Sequence, residues 1–167
     1  MSISQEDRFV GDLNENVGIV HRICRVYFPD TDDRKDVFQE IVYQLWKSYP
    51  AFQGQSKFST WMYKVALNTA ITHVRNTKRM IVKESLSDRI SEIAISNEQN
   101  QADERLNLLY TAINTLSLVD KAIILLHLEE NNYDEIALIT GLTKTNVSVR
   151  LVRIKKKLEG ELKNVLY

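Results

Sequence analysis

The sequence has 167 residues, 44% of them hydrophobic and 26% charged, with only 5 Gly and 2 Pro. That is enough chain for one ordinary domain or two small ones, and too apolar for a wholly disordered protein. The single cysteine, Cys24, permits no intrachain disulfide, no apolar run approaches the roughly 20 residues of a membrane span, and the start MSISQEDRFV is too polar for a secretory signal. The expectation is a soluble, cytoplasmic protein with no membrane insertion.

Net charge is zero, 22 basic residues against 22 acidic, but the charges are segregated. No Asp or Glu lies between Glu40 and Glu84, a stretch that holds Lys47, Lys57, Lys64, Arg75, Lys78, Arg79 and Lys83. Residues 84–104 reverse this, with six acids against Arg89, and from Gly141 onward seven basic residues outnumber Glu159 and Glu161. Two basic blocks flanking an acidic one suit two polyanion-facing surfaces joined by a segment that avoids polyanions.

Helical periodicity dominates. Phe9, Leu13, Val17, Val20, Ile23 and Cys24 form one stripe, ended by Pro29-Asp30. Over residues 33–49, Val37, Phe38, Ile41, Val42, Leu45 and Trp46 recur in pairs at four-residue steps, predicting a helix that Pro50 stops. Residues 51–56 read as a loop. A third helix is predicted from about Ser56 to Arg79, with Phe58, Met62, Val65 and Thr69 on its buried face. These three helices form a compact bundle. Residues 84–104 lack a sustained period and read as a flexible acidic linker that leaves the flanking domains in no fixed relation. Helices resume near Asp103, with Leu106, Leu109, Tyr110 and Ile113 as the apolar face, and Ser117 caps the next. The fold class is all-α: two small helical domains, 1–83 and 105–167, joined by the linker 84–104.

Residues 133–147, YDEIALITGLTKTNV, have helix-turn-helix spacing. Ala137 is small where two helices approach, and Gly141 can take the left-handed conformation that ends the first helix. Asn132 with Glu135 resembles a capping box. Beyond Val147, the residues Leu151, Ile154, Leu158 and Leu162 continue one buried face, and the outward positions carry Lys144, Asn146, Ser148, Arg150, Arg153, Lys155, Lys156 and Lys157. Such a helix can enter the major groove with cations on phosphates and a few side chains on base edges. Arg150 stands where many such motifs have an apolar residue, a role that passes to Leu151. On the third helix, Trp61, Lys64, Asn68, Thr72, Arg75 and Arg79 share one stripe. An aromatic, an amide and cations beside a Phe-containing loop suit single-stranded DNA, because bases stack on rings and cations track phosphates.

Taken together, the pattern resembles an extracytoplasmic-function (ECF) sigma factor of the sigma-70 family. Asp36-Val37-Phe38-Gln39-Glu40-Ile41, with Leu45-Trp46, matches the region 2.2 helix, and the resemblance implies that Asp36, Gln39 and Glu40 meet the β′ coiled coil of core RNA polymerase. Residues 52–63, FQGQSKFSTWMY, continued by 65–70, VALNTA, are similar to the loop and helix that capture the −10 promoter element. The implied −10 contacts are Phe52, Gln53, Gly54, Ser56, Trp61, Lys64, Asn68, Thr72, Arg75 and Arg79. Leu116 through Leu162 resembles region 4, implying −35 contacts from Lys144, Asn146, Ser148, Val149, Arg150, Val152, Arg153, Lys156 and Lys157. The implied partners are core RNA polymerase and promoter DNA, with an anti-sigma factor a further partner that the family admits. The chain departs from the family pattern at Gln53, where Arg is usual, at Thr145, where Gly is common, and at Ser148, where a basic residue is common. All three bear on promoter choice.

Two other readings compete. A two-domain helix-turn-helix regulator with a sensing or dimerising N-terminal bundle would share the C-terminal half, but has no reason to carry the 61–79 stripe or Asp36, Gln39 and Glu40. A metal-dependent nuclease would need Glu129, Glu130, Asp134 and Glu135 as a cluster, and helix-end and solvated acids explain these better. His21, Cys24, His73 and His127 lack zinc-site spacing. No catalytic residue, metal or cofactor is expected.

Overall fold

The computed structural model describes residues 2–84 and 101–166, and for 79–84, 101–103 and 165–166 the backbone alone. The greater part of the expected linker, residues 85–100, lies outside the described residues.

Helix α1, Gln5–Tyr27, starts where the Ser4 hydroxyl accepts from the Asp7 amide at 3.1 Å. Helix α2, Thr31–Ser48, is capped by Asp30, whose carboxylate accepts from the amides of Asp32 and Asp33. Each cap satisfies amide donors that the first turn cannot pair, and Glu6, Asp7, Asp32 and Asp33 complement the helix dipole. A 3₁₀ turn, Tyr49–Ala51, built around Pro50, then leads to α3, Phe58–Glu84. The helix therefore runs past Arg79 into the first residue assigned to the linker.

The three helices pack around Val20, Ile23, Val37, Ile41, Leu45, Met62, Ala66 and Ala70, all fully buried. Two alanines four residues apart on α3 leave room for α1 and α2 to approach closely. The buried face of α3 is thus rotated from the expected one, with Val65, Thr69 and Phe58 only half-buried. On α2 the apolar stripe is broader than the core it meets. Val37, Ile41 and Leu45 are buried, but Phe38 and Val42 are partly open and Trp46 is 41% exposed.

The second group comprises α4, Gln101–Asn114; α5, Leu118–Leu128; α6, Tyr133–Thr140; and α7, Lys144–Leu166. Ser117 caps α5, and Asn132 and Glu135 form a reciprocal capping box on α6. Gly141 ends α6 at φ 75°, its amide bonded to the Ala137 carbonyl, and Thr143 Oγ1 accepts from the Asn146 amide to start α7. Ile123, Leu126, Ile136, Val147, Leu151 and Ile154 fill this core.

The two groups do not stand apart. Against the expectation of independently placed domains, α4 and α5 pack on α1, and α6 packs on α3. Tyr27 donates to the Leu118 carbonyl, Arg25 donates to Asn107 and lies 4.3 Å from the centre of the Tyr110 ring, and Arg22 pairs with Glu129. Tyr63 also donates to Glu129, at 3.3 Å. Glu129, expected as a solvated helix-end acid, is instead half-buried in the seam. Lys121 of α5 is 9% exposed beneath the Tyr27 ring, and burial, followed by the charge of Lys78, lowers its pKa.

Candidate nucleic-acid interface

The N-terminal surface begins at the loop after the 3₁₀ turn. Phe52 is half-buried, its ring 5.1 Å from Trp61 and 5.7 Å from Phe58. Tyr49 sits among Phe9, Phe52, Phe58 and Trp61, and its hydroxyl donates to Asp12 at 2.9 Å. These rings give the loop a rigid floor, while Gln53, Gly54 and Ser56 stand exposed above it and Gly54 takes a left-handed φ of 71°. Trp61 is accordingly half-buried, packed on Tyr49, Phe52 and Phe58 and partly open to solvent.

Along α3, Lys64, Asn68, Thr72 and Arg75 are all exposed on one stripe, as their spacing predicts. The Arg79 side chain lies outside the described residues. The docked C-terminal domain meets the other flank of α3, around Ser59 and Tyr63, and leaves this stripe uncovered.

On α2, Asp36, Gln39 and Glu40 are exposed, but Gln39 and Glu40 line two different clefts and Asp36 lines neither. Glu40 accepts from the Gln44 amide at 2.9 Å and lines a polar cleft with Asn68 and Thr72. Gln39 rims an apolar groove of about 420 Å³ between α1 and α2, lined by Phe9, Val10, Phe38, Val42, Tyr43 and Trp46. Tyr43 is 55% exposed there. Sequence reasoning assigned Val42 and Trp46 to the core and passed over Val10 and Tyr43. The signal available was an apolar stripe on α2 too wide for one neighbour to cover.

In the C-terminal domain, α7 buries Val147, Leu151, Ile154 and Leu158, and exposes Lys144, Asn146, Val149, Val152, Arg153, Lys156 and Lys157, with Ser148 half-buried. Arg150 is diverted from this surface. Its guanidinium bonds Asp120 on α5 at 2.9 Å and the Asn146 side chain at 3.1 Å, tying α7 to α5. Lys144 pairs with Asp134, and Lys157 donates to the Thr115 carbonyl. Among the described residues, Arg153 and Lys156 have no such tie.

Among the described residues no group of three His, Cys, Asp or Glu side chains could hold a metal ion, and no helix is long and apolar enough to cross a membrane. His21 stacks on Phe38, His73 meets the edge of Phe28, and Cys24 is buried, its thiol pushed up to about 11 by burial.

Two family models match the sequence in chain order. Sigma-70 region 2 matches residues 13–80, and sigma-70 region 4 matches residues 106–158. The chain belongs to the sigma-70 family. Within it, this is an ECF factor that directs promoter-specific initiation by RNA polymerase. It is 28% identical over 143 residues to RNA polymerase sigma factor SigV of Bacillus subtilis, covering 85% of this chain and 83% of that one. It is 26% identical to the ECF RNA polymerase sigma-E factor of Escherichia coli K12, covering 84% of this chain and 78% of that one. Among solved structures, the fold matches the sigma factor RpoE of Bartonella quintana, in complex with the anti-sigma factor NepR, at a TM-score of 0.76 over 93% of this chain and 97% of that one, at 22% identity. It also matches CnrH, in complex with the cytosolic domain of CnrY, at a TM-score of 0.70 over 96% and 90% of the two chains, at 18% identity. The region 2 match removes the reading of the N-terminal bundle as a sensor or dimerisation module.

Proposed function

We infer that this sigma factor divides promoter recognition between its two domains, 1–83 and 105–167, and acts in the cytoplasm while core polymerase supplies the chemistry. The observation that carries this is the pair of separate exposed basic stripes, Lys64 to Arg75 on α3 and Lys144 to Lys157 on α7, each backed by its own buried face. Trp61, Asn68 and the Phe52–Ser56 loop hold unpaired −10 bases, with Lys64, Arg75 and Arg79 on the adjoining phosphates. Helix α7 lies in the major groove of the −35 element. Asp36, Gln39, Glu40 and the apolar groove beside them receive the β′ coiled coil of core polymerase, with Tyr43 as the exposed aromatic anchor.

The docked arrangement then belongs to the factor off the promoter. A packed chain of 167 residues has a radius of gyration of about 15 Å. Two elements about 25 base pairs apart are separated by about 85 Å, at about 3.4 Å per pair. The domains must part to engage both, so a partner that binds the docked form, such as an anti-sigma factor, holds the protein inactive. Footprinting of the reconstituted holoenzyme tests this. Protection should fall in two patches about 25 base pairs apart, and unpaired-base reactivity in the downstream patch alone. A single continuous duplex footprint without melting would refute it.

A further inference from the structure

The outward face of α7 is not uniformly polar. Val149 and Val152 lie on the side opposite the buried Leu151, Ile154 and Leu158, and are 45% and 54% exposed. Packing does not need them there. A β-branched residue is also a weaker helix former than most residues suited to a solvated position, and it leaves apolar surface in water. The two valines stand three residues apart, so they adjoin on the helix surface, and Arg153 and Lys156 follow on the same face. The long polar side chain beside them, Arg150, is spent on Asp120 and Asn146 and is not free for base edges.

The major groove of B-DNA offers one apolar feature, the C5-methyl group of thymine. An apolar strip flanked by free cations on a groove-entering helix matches that feature: the cations meet phosphates and the strip meets methyls. We propose that Val149 and Val152 are specificity-determining residues that select thymine in the −35 element by packing on its C5-methyl group. Arg150 is then a positioning residue that sets the depth and roll of α7 through Asp120. This inference rests on the reading of α7 as the −35 helix and names the base chemistry that the helix takes.

The test uses holoenzyme assembled from the full chain and core polymerase. Duplexes are first selected from a pool randomised across the −35 region, and each thymine in the selected element is then replaced by deoxyuridine, which removes only the methyl group. At one or two positions uracil should weaken binding about fourfold, the effect of one methyl-sized group returned to water. Val149→Ala or Val152→Ala should abolish that sensitivity at one of those positions while core polymerase binding is kept, since alanine favours the helix and neither valine is in the core. A selected element without thymine, wild-type indifference to uracil throughout, or uracil sensitivity unchanged in both variants overturns the proposal. So does loss of core polymerase binding in the valine variants, which would make the strip a protein contact. The −35 assignment itself fails separately, if Arg153→Ala with Lys156→Ala leaves duplex affinity and its salt dependence untouched.

Discussion

The Tyr27 hydroxyl donates a 2.6 Å hydrogen bond to the main-chain carbonyl of Leu118, 91 residues away, joining the last turn of α1 to the first turn of α5. Tyr63 makes the second such tie, to Glu129. Both hydroxyls serve the docked form as neutral donors. Burial raises both pKa values above the ordinary 10.0, Tyr63 to about 12. A raised pKa means that the docked form gains its full stabilisation below the value of the exposed phenol and loses it as pH climbs through the raised one. Energy transfer between a dye in each domain should therefore fall between about pH 10 and pH 12. Tyr27→Phe with Tyr63→Phe should remove most of that step. A step unchanged in the double variant would assign the opening to other groups.

Glu129 gathers Arg22 and Tyr63 at one point of the seam. Glu129→Lys puts a cation beside Arg22 and should open the domains without unfolding either, because Glu129 sits at the C-cap of α5, outside both cores. The pair is only partly screened by solvent, with Arg22 43% and Glu129 20% exposed, so its loss is worth on the order of 1 kcal/mol and a shift of about fivefold in the open-to-docked ratio is expected. Small-angle scattering should show an expanded full-length chain. An unexpanded variant would mean that the apolar contacts of α1 with α4 and α5 hold the domains unaided.

On the polymerase face, Glu40→Lys and Tyr43→Ala should each weaken core binding with little change in thermal stability, since both side chains are exposed. A central aromatic anchor is worth about 2 kcal/mol or more, roughly thirtyfold in affinity. Trp46→Ala is a poorer probe, because its ring packs 5.1 Å from Phe9. Titration of labelled core polymerase decides, and wild-type affinity in both variants would move the interface elsewhere.

What the sequence made legible is local. The caps at Ser117 and Asn132, the left-handed Gly141 and the buried series Val147, Leu151, Ile154 and Leu158 depend on residues a few positions apart, where spacing dictates geometry. The exposure of the α3 stripe followed for the same reason. The seam was not legible, because Tyr27, Arg22 and Glu129 are polar residues at helix ends or on partly exposed faces, and nothing in their neighbourhoods announces a partner about a hundred residues away. Arg150 is an intermediate case. Its misfit within the helix-turn-helix pattern was visible, but its tie to Asp120 depends on how α7 crosses α5.

Asn68 and Trp61 can now be separated as probes of promoter opening. Trp61→Ala removes a half-buried ring from a cluster of Tyr49, Phe52 and Phe58 and should cost up to about 3 kcal/mol of stability, confounding any DNA defect. Asn68→Ala touches an exposed side chain and replaces it with a better helix former. Its holoenzyme should bind duplex promoter normally yet melt the −10 element poorly, as a fluorescent base there would report, and pre-melted DNA should relieve the defect. Opening at the wild-type rate would remove Asn68 from the reading.

The central claim is that this chain turns core RNA polymerase into a promoter-specific enzyme, and start-site mapping on a defined template tests it most directly. Core polymerase alone should give no discrete start, whereas core polymerase with the purified chain should give one start site per selected promoter. That product should fall by an order of magnitude or more with Glu40→Lys. Co-elution without a discrete start, or the same starts with core polymerase alone, would contradict the account.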